Sequence, residues 1–448
     1  MFLQTDAVLG EDAIAELKAL ADIINKSIAT IETSMKDSSL AYPSPAASFS
    51  PQSEAGRNIP EVQTAGSNIV AAASQLISIV RPPPLTLIAY ALQFHVPTAL
   101  RIAIITHTAE ILRDAGPQLA RVLRLLATNH VFVEVAPDVF ASNRLSSMFD
   151  TGKSVEEIIA HPEKKYEGTI AFGALLEHFT DDVFPTSAVL PNVIVDPKVG
   201  RLNDPTKTAF NQAFKTDLPF FEWFDLPEQT HRMARFGIAM DGGARLAAPD
   251  TIIQGGGVGS QCMSLAKHYP QLSFAVQDRA PVIQEGVEFW TKSLPNYIES
   301  GKVLLEAQDF FTPQPVRKVS VFLLRMVLHD WSDEYCIKML RLLRAAADES
   351  TKLLIVDNIV SYACNETSTN NIRGAERPLP PTPLLPNLGH TSVIAYYTDL
   401  TMMTLLNGHE RTLLEVQGLM KESGWKLVEV YYGDPFAVGQ SKAIGVPV

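Results

Sequence analysis

Two kinds of hydrophobic periodicity divide the chain near Asp250. Before that point, apolar residues recur every three to four positions, as in AIAELKALADIINKSI near the N-terminus and in LARVLRLLATNH from Leu119 to His130. This spacing predicts amphipathic helices. After Asp250, short apolar runs alternate with amphipathic helices, which predicts an α/β half with a doubly wound, mainly parallel sheet. The strand-like runs are TIIQ, SFAVQD, KVLLEAQD, VSVFLLR, KLLIVDNIV, KLVEVYYG and SKAIGVPV.

The helical half contains one segment of a different kind. LARVLRLLATNH is followed by VFVEVAPDVFASNRLS, in which two short β-branched and aromatic runs flank a Pro137-Asp138 turn. A helix followed by a small hairpin is the outline of a winged helix. The Ser- and Pro-rich SSLAYPSPAASFSPQSEAGRNIP reads as a linker. We therefore predict an N-terminal helix and linker over 1–62, a helical, winged-helix-like domain over 63–185 and the α/β domain over 186–448.

Composition narrows the class of protein. The 448 residues are 46% hydrophobic and 19% charged, as in a globular protein, and the formal net charge is -12. The negative charge argues against nucleic acid and anionic membranes as partners. Three cysteines without a CxxC pair predict a reducing compartment and no metal site. No signal peptide and no uninterrupted apolar run of about 20 residues is visible, so we expect a cytoplasmic protein.

A glycine-rich stretch marks the start of the α/β half. Gly255, Gly257 and Gly259 stand between an apolar run and the helical SQCMSLAKHY. Glycines there let the chain turn sharply and a ligand approach the backbone. Asp278 ends the next strand-like run, where a carboxylate can bind ribose hydroxyls. The pair favours a nucleotide-type cofactor but leaves a dinucleotide and S-adenosylmethionine as alternatives, beside a loop shaped by packing alone.

A histidine occupies the end of a later strand. His329 lies in RMVLHDWSDE, directly after VSVFLL, and open α/β sheets bind ligands at such strand ends. Imidazole titrates near neutrality and suits the removal of a proton from a hydroxyl. A structural histidine is the alternative. Two downstream carboxylates, Asp357 in KLLIVD and Glu410 in NGHERT, favour the catalytic interpretation because flanking carboxylates orient an imidazole and stabilise its cation.

These motifs together resemble a known family. LLRMVLHDWSDEYC, supported by GGGVGS, VQD, QDFF and NGHERT, is similar to the class I, dimeric small-molecule O-methyltransferases of the plant caffeate and flavonoid type, and especially to their fungal relatives. The resemblance implies a Rossmann-like methyltransferase domain, S-adenosylmethionine as cofactor, a hydroxylated aromatic small molecule as substrate, and a homodimer held by the N-terminal domain.

The resemblance also implies roles for individual residues. His329 would be the general base, bracketed by Asp357 and Glu410, although plant members carry the longer Glu at the position of Asp357. The cofactor would contact the glycine loop, the ribose-binding carboxylate, the residues after the third strand and two positions near the histidine. These positions are Gly255, Gly257, Gly259, Asp278, Asp309, Phe310, Arg325 and Trp331.

Acceptor contacts are the least determined part of the site. Candidates are aromatic, methionine and amide side chains in segments that line the acceptor pocket of the family. Each of them can equally well fill a hydrophobic core. The candidates are Phe220, Trp223, Met240, Met403 and Asn407.

Two segments of the family pattern are shortened here. Members carry a full strand ending in an acidic residue before the glycine loop, whereas here TIIQ runs directly into Gly255 and Ile253 replaces the acidic residue. Either TIIQ forms a very short first strand, or the sheet lacks its central strand. A second gap follows Gln118, where relatives have a further strand and helix.

The sequence therefore predicts an S-adenosylmethionine-dependent O-methyltransferase acting on a hydroxyl, phenolic in our interpretation. A free phenol has a pKa of about 10, so a neighbouring base is useful and a metal is not required. Two alternatives remain: a catalytically impaired, methyltransferase-like protein that dimerises or binds ligand, and an NAD-dependent oxidoreductase.

Overall fold

The N-terminal half is almost entirely helical, as its periodicity predicts. The structure, a computed structural model, describes residues 13–111, 117–245, 257–316, 319–433 and 440–448. Prolines occupy first-turn positions of several helices, where a missing N–H costs nothing. The helices are α1 (Ala13–Ser38), α2 (Pro60–Val80), α3 (Pro83–Leu92), α4 (His95–Ile105), α5 (Thr108–Ile111), α6 (Pro117–Thr128), α7 (Val155–Ala160), α8 (Phe172–His178), α9 (Phe184–Val195), α10 (Ala209–Phe214), α11 (Phe220–Phe224) and α12 (Thr230–Arg245).

A small hairpin follows α6, where the sequence predicts one. Strands β1 (Phe132–Ala136) and β2 (Val139–Ser142) pair antiparallel around a turn in which Asp138 has a φ of 61°. Buried Leu123 and Leu126 of α6 pack in one cluster with Phe132. The helix and hairpin are confirmed, and the winged-helix assignment stays a prediction.

The C-terminal half alternates strands and helices. Its strands agree with the strand-like runs of the sequence from SFAVQD onward. They are β3 (Phe274–Asp278), β4 (Val303–Ala307), β5 (Val321–Arg325), β6 (Lys352–Asp357), β7 (Ile359–Val360), β8 (Arg411–Thr412), β9 (Trp425–Tyr431) and β10 (Ser441–Pro447). The helices are α13 (Ser260–His268), α14 (Ala280–Ser293), α15 (Pro295–Glu299), α16 (Asp333–Ala346), α17 (Val393–Leu406) and α18 (Leu413–Glu422).

The sheet differs from the single doubly wound sheet that the sequence predicts. β3 and β4 pair parallel as one unit, and a second sheet has the order β5-β6-β10-β9, with β5 and β6 parallel and β10 antiparallel to both neighbours. In the described ranges no strand joins the two units. The TIIQ run, the sequence's candidate for the connecting strand, lies outside the described residues together with Gly255.

Each sheet unit has its own hydrophobic core. Beside the four-stranded sheet, Met339 and Leu340 of α16 are fully buried with Trp425, whose indole N–H donates to the Leu340 carbonyl at 3.1 Å. Beside the β3–β4 pair, Trp290 and Val276 are buried in a separate cluster. The two cores account for the amphipathic helices predicted around the strands.

One apolar stretch of the helical half needs a separate description. Pro83–Ile105 has the length and composition of a membrane-spanning helix, with a mean hydropathy of 1.4, although Gln93, His95 and Arg101 interrupt its apolar residues. The structure divides this stretch into α3 and α4. Ala99, Ala103 and Ile104 of α4 are buried against α6, whereas no residue of α3 is buried. One helix of this length and composition is weak evidence for a membrane span.

A buried ion-pair network connects α12 to the preceding helices. Asp182, in the π-helical turn Phe179–Val183, is fully buried and accepts bonds from His178 Nδ1 at 2.9 Å and from Arg235 of α12 at 2.7 Å. Arg232 of α12 also pairs with it, and Arg101 of α4 pairs with Asp181. Burial opposes ionisation of Asp182, but the His178 and Arg235 contacts nevertheless lower its pKa. The network fixes α12 against α4 and α8.

Candidate active site

His329 lies on a tight turn immediately after β5. The turn Leu328–Asp330 is a single 3₁₀ segment, and His329 is 6% exposed. Met326 begins the turn with a φ of 49°, a left-handed conformation that is rare for a residue with a side chain. Its N–H still donates to the Val356 carbonyl at 3.0 Å. The β5–β6 pairing therefore continues up to the turn and fixes the position of the backbone that carries the His329 imidazole.

Arg411 holds this turn from the other side. Its guanidinium donates to the carbonyls of Leu328 and Trp331, both at 2.7 Å, and to the carboxylate of Asp333 at 3.0 Å through Nε. Arg411 is 4% exposed. The planar guanidinium directs its N–H groups at fixed angles and can bond to three acceptors at once. Arg411 therefore connects the 407–412 segment to the histidine turn.

Glu410 is the direct partner of the imidazole. Its Oε1 lies 3.0 Å from His329 Nδ1, and its side chain is fully buried. The approach requires Gly408, because a Cβ at that position would lie 2.1 Å from the His329 carbonyl oxygen. A glycine lets the two backbones cross at contact distance. The sequence predicted Glu410 but missed both Gly408 and Arg411.

A second carboxylate faces the other imidazole nitrogen. Asp330 Oδ1 lies 3.4 Å from His329 Nε2, a contact that the sequence reasoning overlooked although Asp330 is the adjacent residue. Asp357 was predicted to bracket the imidazole. It is buried at the end of β6, and its Oδ1 has no hydrogen-bond partner among the described residues. The closest pair around His329 is therefore Glu410 and Asp330, with Asp357 acting through its charge.

Burial and charge shift the pKa values of His329, Asp330 and Asp357. Burial alone would lower the pKa of His329, but Asp330 and Glu410 raise it to about 10. Burial raises the pKa of Asp357 to about 7 and that of Asp330 to about 6. The cluster thus stabilises an imidazolium cation strongly, as a site that takes up a proton must do.

The glycine loop meets the carboxylate that the sequence paired with it. The Gly257 N–H donates to Asp278 Oδ2 at 2.8 Å. Gly259 has a φ of 77°, and a Cβ there would lie 2.6 Å from the indole nitrogen of Trp290. That indole N–H donates to the Val258 carbonyl at 3.1 Å. Trp290, which the sequence reasoning missed, therefore anchors the loop, while Gly255 lies outside the described residues.

An aromatic cluster adjoins the ends of β4 and β5. Phe310 and Phe311 lie edge-on to Trp331, with ring centroids 5.8 Å and 4.7 Å from it. Asp309 is exposed and accepts the Phe311 N–H at 2.9 Å. Aromatic rings of this kind can pack against a further planar ring, face-on with an offset or edge-on. Predicted cofactor contacts Asp309, Phe310 and Trp331 are thus brought together.

Arg325 lies at the buried end of β5. It is 5% exposed, and its Nε has no hydrogen-bond partner among the described residues. Burial lowers its pKa to about 10, against the opposing effect of Asp357. Its role as a cofactor contact stays a prediction.

The predicted acceptor contacts divide into two groups. Phe220 and Trp223 are 2% and 7% exposed inside an aromatic core, which favours the core-filling alternative. Met240 is 41% exposed on α12, and Met403 is half-buried on α17. The Asn407 amide donates to the Asp204 carbonyl at 2.7 Å and ties α17 to the 202–207 segment.

Comparison with known proteins gives consistent matches. Residues 249–375 match a family model described as an O-methyltransferase domain. The chain is 38% identical to an O-methyltransferase of Armillaria gallica, over 97% of this chain and 100% of the relative. It is 35% identical to 4-O-methyltransferase 1 of Phanerochaete chrysosporium, over 93% and 95% of the two chains.

Solved structures share the fold at lower identity. A pericyclic reaction enzyme has a TM-score of 0.62 at 19% identity, covering 86% of this chain and 95% of its own. The mitomycin 7-O-methyltransferase MmcR has a TM-score of 0.54 at 21% identity, covering 85% and 99%. At these identities the likeness concerns the fold, a helical N-terminal part followed by an α/β part.

The crossing at Gly408 generates a prediction. In Gly408→Ala, the added Cβ forces the 407–411 segment away from His329, so Glu410 loses its contact with the imidazole. We expect a loss of stability of about 2–4 kcal/mol and a lower pKa for His329. Thermal unfolding and NMR titration of ¹³C-labelled histidine measure the two effects.

Gly418→Ala is the matched control for this substitution. Gly418 lies in α18, and a Cβ there meets nothing within 4 Å. This variant should be as stable as the parent or up to about 1 kcal/mol more stable. An unchanged melting temperature and an unchanged His329 titration in Gly408→Ala would contradict the prediction.

Proposed function

The chain belongs to the O-methyltransferase family, and from that premise we propose that it methylates a phenolic hydroxyl of a small molecule, with His329 as the general base. The observation that carries the proposal is the buried contact of 3.0 Å between His329 Nδ1 and Glu410. Only the other ring nitrogen is then left to take a proton from an acceptor. A buried, carboxylate-backed imidazole at a strand end is the arrangement that proton removal from a hydroxyl requires.

The residues near the glycine loop fit S-adenosylmethionine, the methyl donor of these enzymes. When bound, it supplies a methyl group already activated by a sulfonium. Gly257 and Gly259 themselves present no side chain to a ligand, and the half-buried Asp278 carboxylate beside them suits ribose hydroxyls. Phe310 and Trp331 offer faces for a planar base. Gly255, Asp309 and Arg325 complete the proposed binding set.

Removal of the proton from the acceptor hydroxyl involves His329 and its neighbouring carboxylates. With Nδ1–H donated to Glu410, the neutral imidazole presents an unprotonated Nε2 to the acceptor hydroxyl. An ordinary phenol has a pKa of about 10, so below that pH it releases its proton mainly to a nearby base, here the neutral form of His329. Asp330 and Glu410 then stabilise the resulting imidazolium, as their effect on the pKa of His329 indicates. Asp357 adds negative charge from the end of β6.

A second candidate function has one observation in its favour. The β3–β4 pair and the β5–β6–β10–β9 sheet are not hydrogen-bonded to one another in the ranges the structure describes. A catalytically impaired protein that dimerises or binds ligand would tolerate two sheet units without hydrogen bonds between them. The NAD-dependent alternative shares only the glycine loop and Asp278, and it leaves the His329 cluster without a role.

Substituting the base tests the proposal directly. His329→Ala should lower kcat about 10²- to 10⁴-fold with simple phenols such as catechol and guaiacol. Calorimetric binding of S-adenosylhomocysteine should be unchanged, and NAD should not bind. His161→Ala, at an exposed histidine, should keep full activity.

Two outcomes of that experiment would count against parts of the proposal. Full activity of His329→Ala would exclude the general-base role. Failure of the folded parent protein to bind S-adenosylhomocysteine would favour the impaired protein.

The raised pKa of His329 determines the pH dependence. Since the base must be unprotonated, kcat/KM should rise from neutral pH toward the His329 pKa of about 10. Glu410→Gln removes a carboxylate that raises this pKa, so the rising limb should move to lower pH while the maximal rate falls. Glu422→Gln, at an exposed carboxylate, should leave the profile unchanged. A limb that moves to higher pH in Glu410→Gln would contradict the assignment.

We also propose a homodimer formed through the 63–185 segment. Every residue of α3 is exposed or half-buried, and its apolar side chains point in several directions. A helix that is apolar all round needs a partner that surrounds it, and a second copy of the chain meets that need. The exposed side chains are Leu85, Leu87, Ile88, Tyr90 and Leu92.

A charge placed on α3 tests the dimer. Leu87 is 68% exposed, so Leu87→Asp should leave the protomer folded and shift the protein from dimer to monomer in sedimentation velocity. Val195→Asp, at a 77% exposed position at the end of α9 and outside the 63–185 segment, is the matched control and should stay dimeric. A parent protein that sediments as a monomer at micromolar concentration would refute the proposal.

A further inference from the structure

We propose that Asn358 is a positioning residue that holds the Glu410 carboxylate in register with His329; this inference rests on the proposed role of His329 as base. Asn358 lies between β6 and β7 and is 4% exposed. Its amide Nδ2 donates to Glu410 Oε1 at 2.9 Å. The same oxygen lies 3.0 Å from His329 Nδ1. One carboxylate oxygen is thus shared by the imidazole and the amide.

A short ladder of backbone bonds places Asn358 beside Glu410. β7 and β8 pair parallel, with Ile359 opposite Arg411. The residues that precede this pair, Asn358 and Glu410, are consequently brought side by side. The Glu410 N–H also donates to Asp399 Oδ1 at 2.9 Å. Backbone pairing therefore determines the distance between the two side chains, and the amide determines how the carboxylate is rotated.

The rotation of the Glu410 carboxylate is otherwise weakly determined. Its Oε2 is buried and has no hydrogen-bond partner among the described residues. Only the hydrogen bonds to Oε1 therefore favour one orientation of the carboxylate over another. Two donors converging on Oε1 favour the orientation in which Nδ1 of His329 carries its proton. The Nε2 lone pair is then directed away from Glu410, toward the side where Asp330 Oδ1 lies 3.4 Å away and where we place the acceptor hydroxyl.

An amide suits this position because the surrounding charge is already negative. Asp330, Asp357 and Glu410 lie around His329, and burial raises the pKa of the first two. A fourth carboxylate would add repulsion and compete for a proton. A neutral donor bonds to Glu410 without that cost.

The alternative is that Asn358 merely satisfies its own buried amide. The two interpretations differ in what happens to the imidazole. If Asn358 only packs, its loss lowers stability and leaves the His329 tautomer unchanged. If it positions Glu410, its loss allows the carboxylate to rotate and both neutral tautomers of His329 become populated.

The test compares Asn358→Leu with the isosteric Asn358→Asp and with Asn370→Asp, which changes an exposed asparagine in a turn. Ring-¹⁵N NMR of labelled histidine, recorded above the His329 pKa of about 10 so that the ring is neutral and assigned with His329→Ala, should show the Nδ1–H form in the parent protein and a mixture in Asn358→Leu. We expect kcat with catechol to fall about 10- to 100-fold in both Asn358 variants. KM for S-adenosylmethionine and binding of S-adenosylhomocysteine should not change, and Asn370→Asp should match the parent.

The outcomes separate this inference from the function on which it rests. A parent-like tautomer spectrum and a kcat within twofold of the parent in Asn358→Asp, while His329→Ala is inactive, would overturn the positioning role alone. Full activity of His329→Ala would remove the base itself and the role of Asn358 with it. If Asn358→Leu does not fold, Asn358→Asp carries the same spectral and kinetic comparison because its shape is conserved.

Discussion

The close crossing of two backbone segments is the constraint on which the site depends. The 407–412 segment passes over the histidine turn at contact distance, and only a residue without a Cβ fits at Gly408. Arg411 then donates to the carbonyls of Leu328 and Trp331 on either side of the turn. Because these contacts involve backbone atoms, the position of Glu410 relative to His329 is determined by the fold and depends little on side-chain rotamers. The strained Met326 at the start of the turn is the local cost of this geometry.

Periodicity and motif chemistry predicted much of the fold and part of the site. The strands from SFAVQD onward and the hairpin after α6 follow from patterns visible in one segment at a time, whereas the contact of His329 with Glu410 was predicted from the family resemblance. Asn358, Gly408 and Arg411 could not be predicted in this way, because their roles arise from contacts between segments about 50 to 80 residues apart. One signal was available for Asp330. It is adjacent to His329 on one tight turn, so both side chains can face the same site.

Burial separates alternatives that the sequence leaves open. Phe220 and Trp223 belong to an aromatic core with edge-to-face contacts to Phe210, at centroid distances of 5.1 Å and 5.2 Å. Composition alone cannot distinguish such residues from pocket-lining aromatics, because both are apolar and follow helical spacing. For α3 the opposite holds: most of its side chains are apolar, yet none of them is buried. In both cases the decisive information is the packing partner, which no local pattern contains.

The two sheet units are connected at the place where the cofactor is proposed to bind. Phe310 and Phe311 follow β4, yet they pack against the core of the β5–β6–β10–β9 sheet and onto Trp331. Each edge-to-face pair contributes about 0.5–1.5 kcal/mol beyond its buried area, so these contacts hold the carboxyl ends of β4 and β5 together in the described part of the chain. A planar base bound to this cluster would contact both units at once. Cofactor binding and the alignment of the glycine loop with His329 would then stabilise each other, because the same aromatic surface contributes to both.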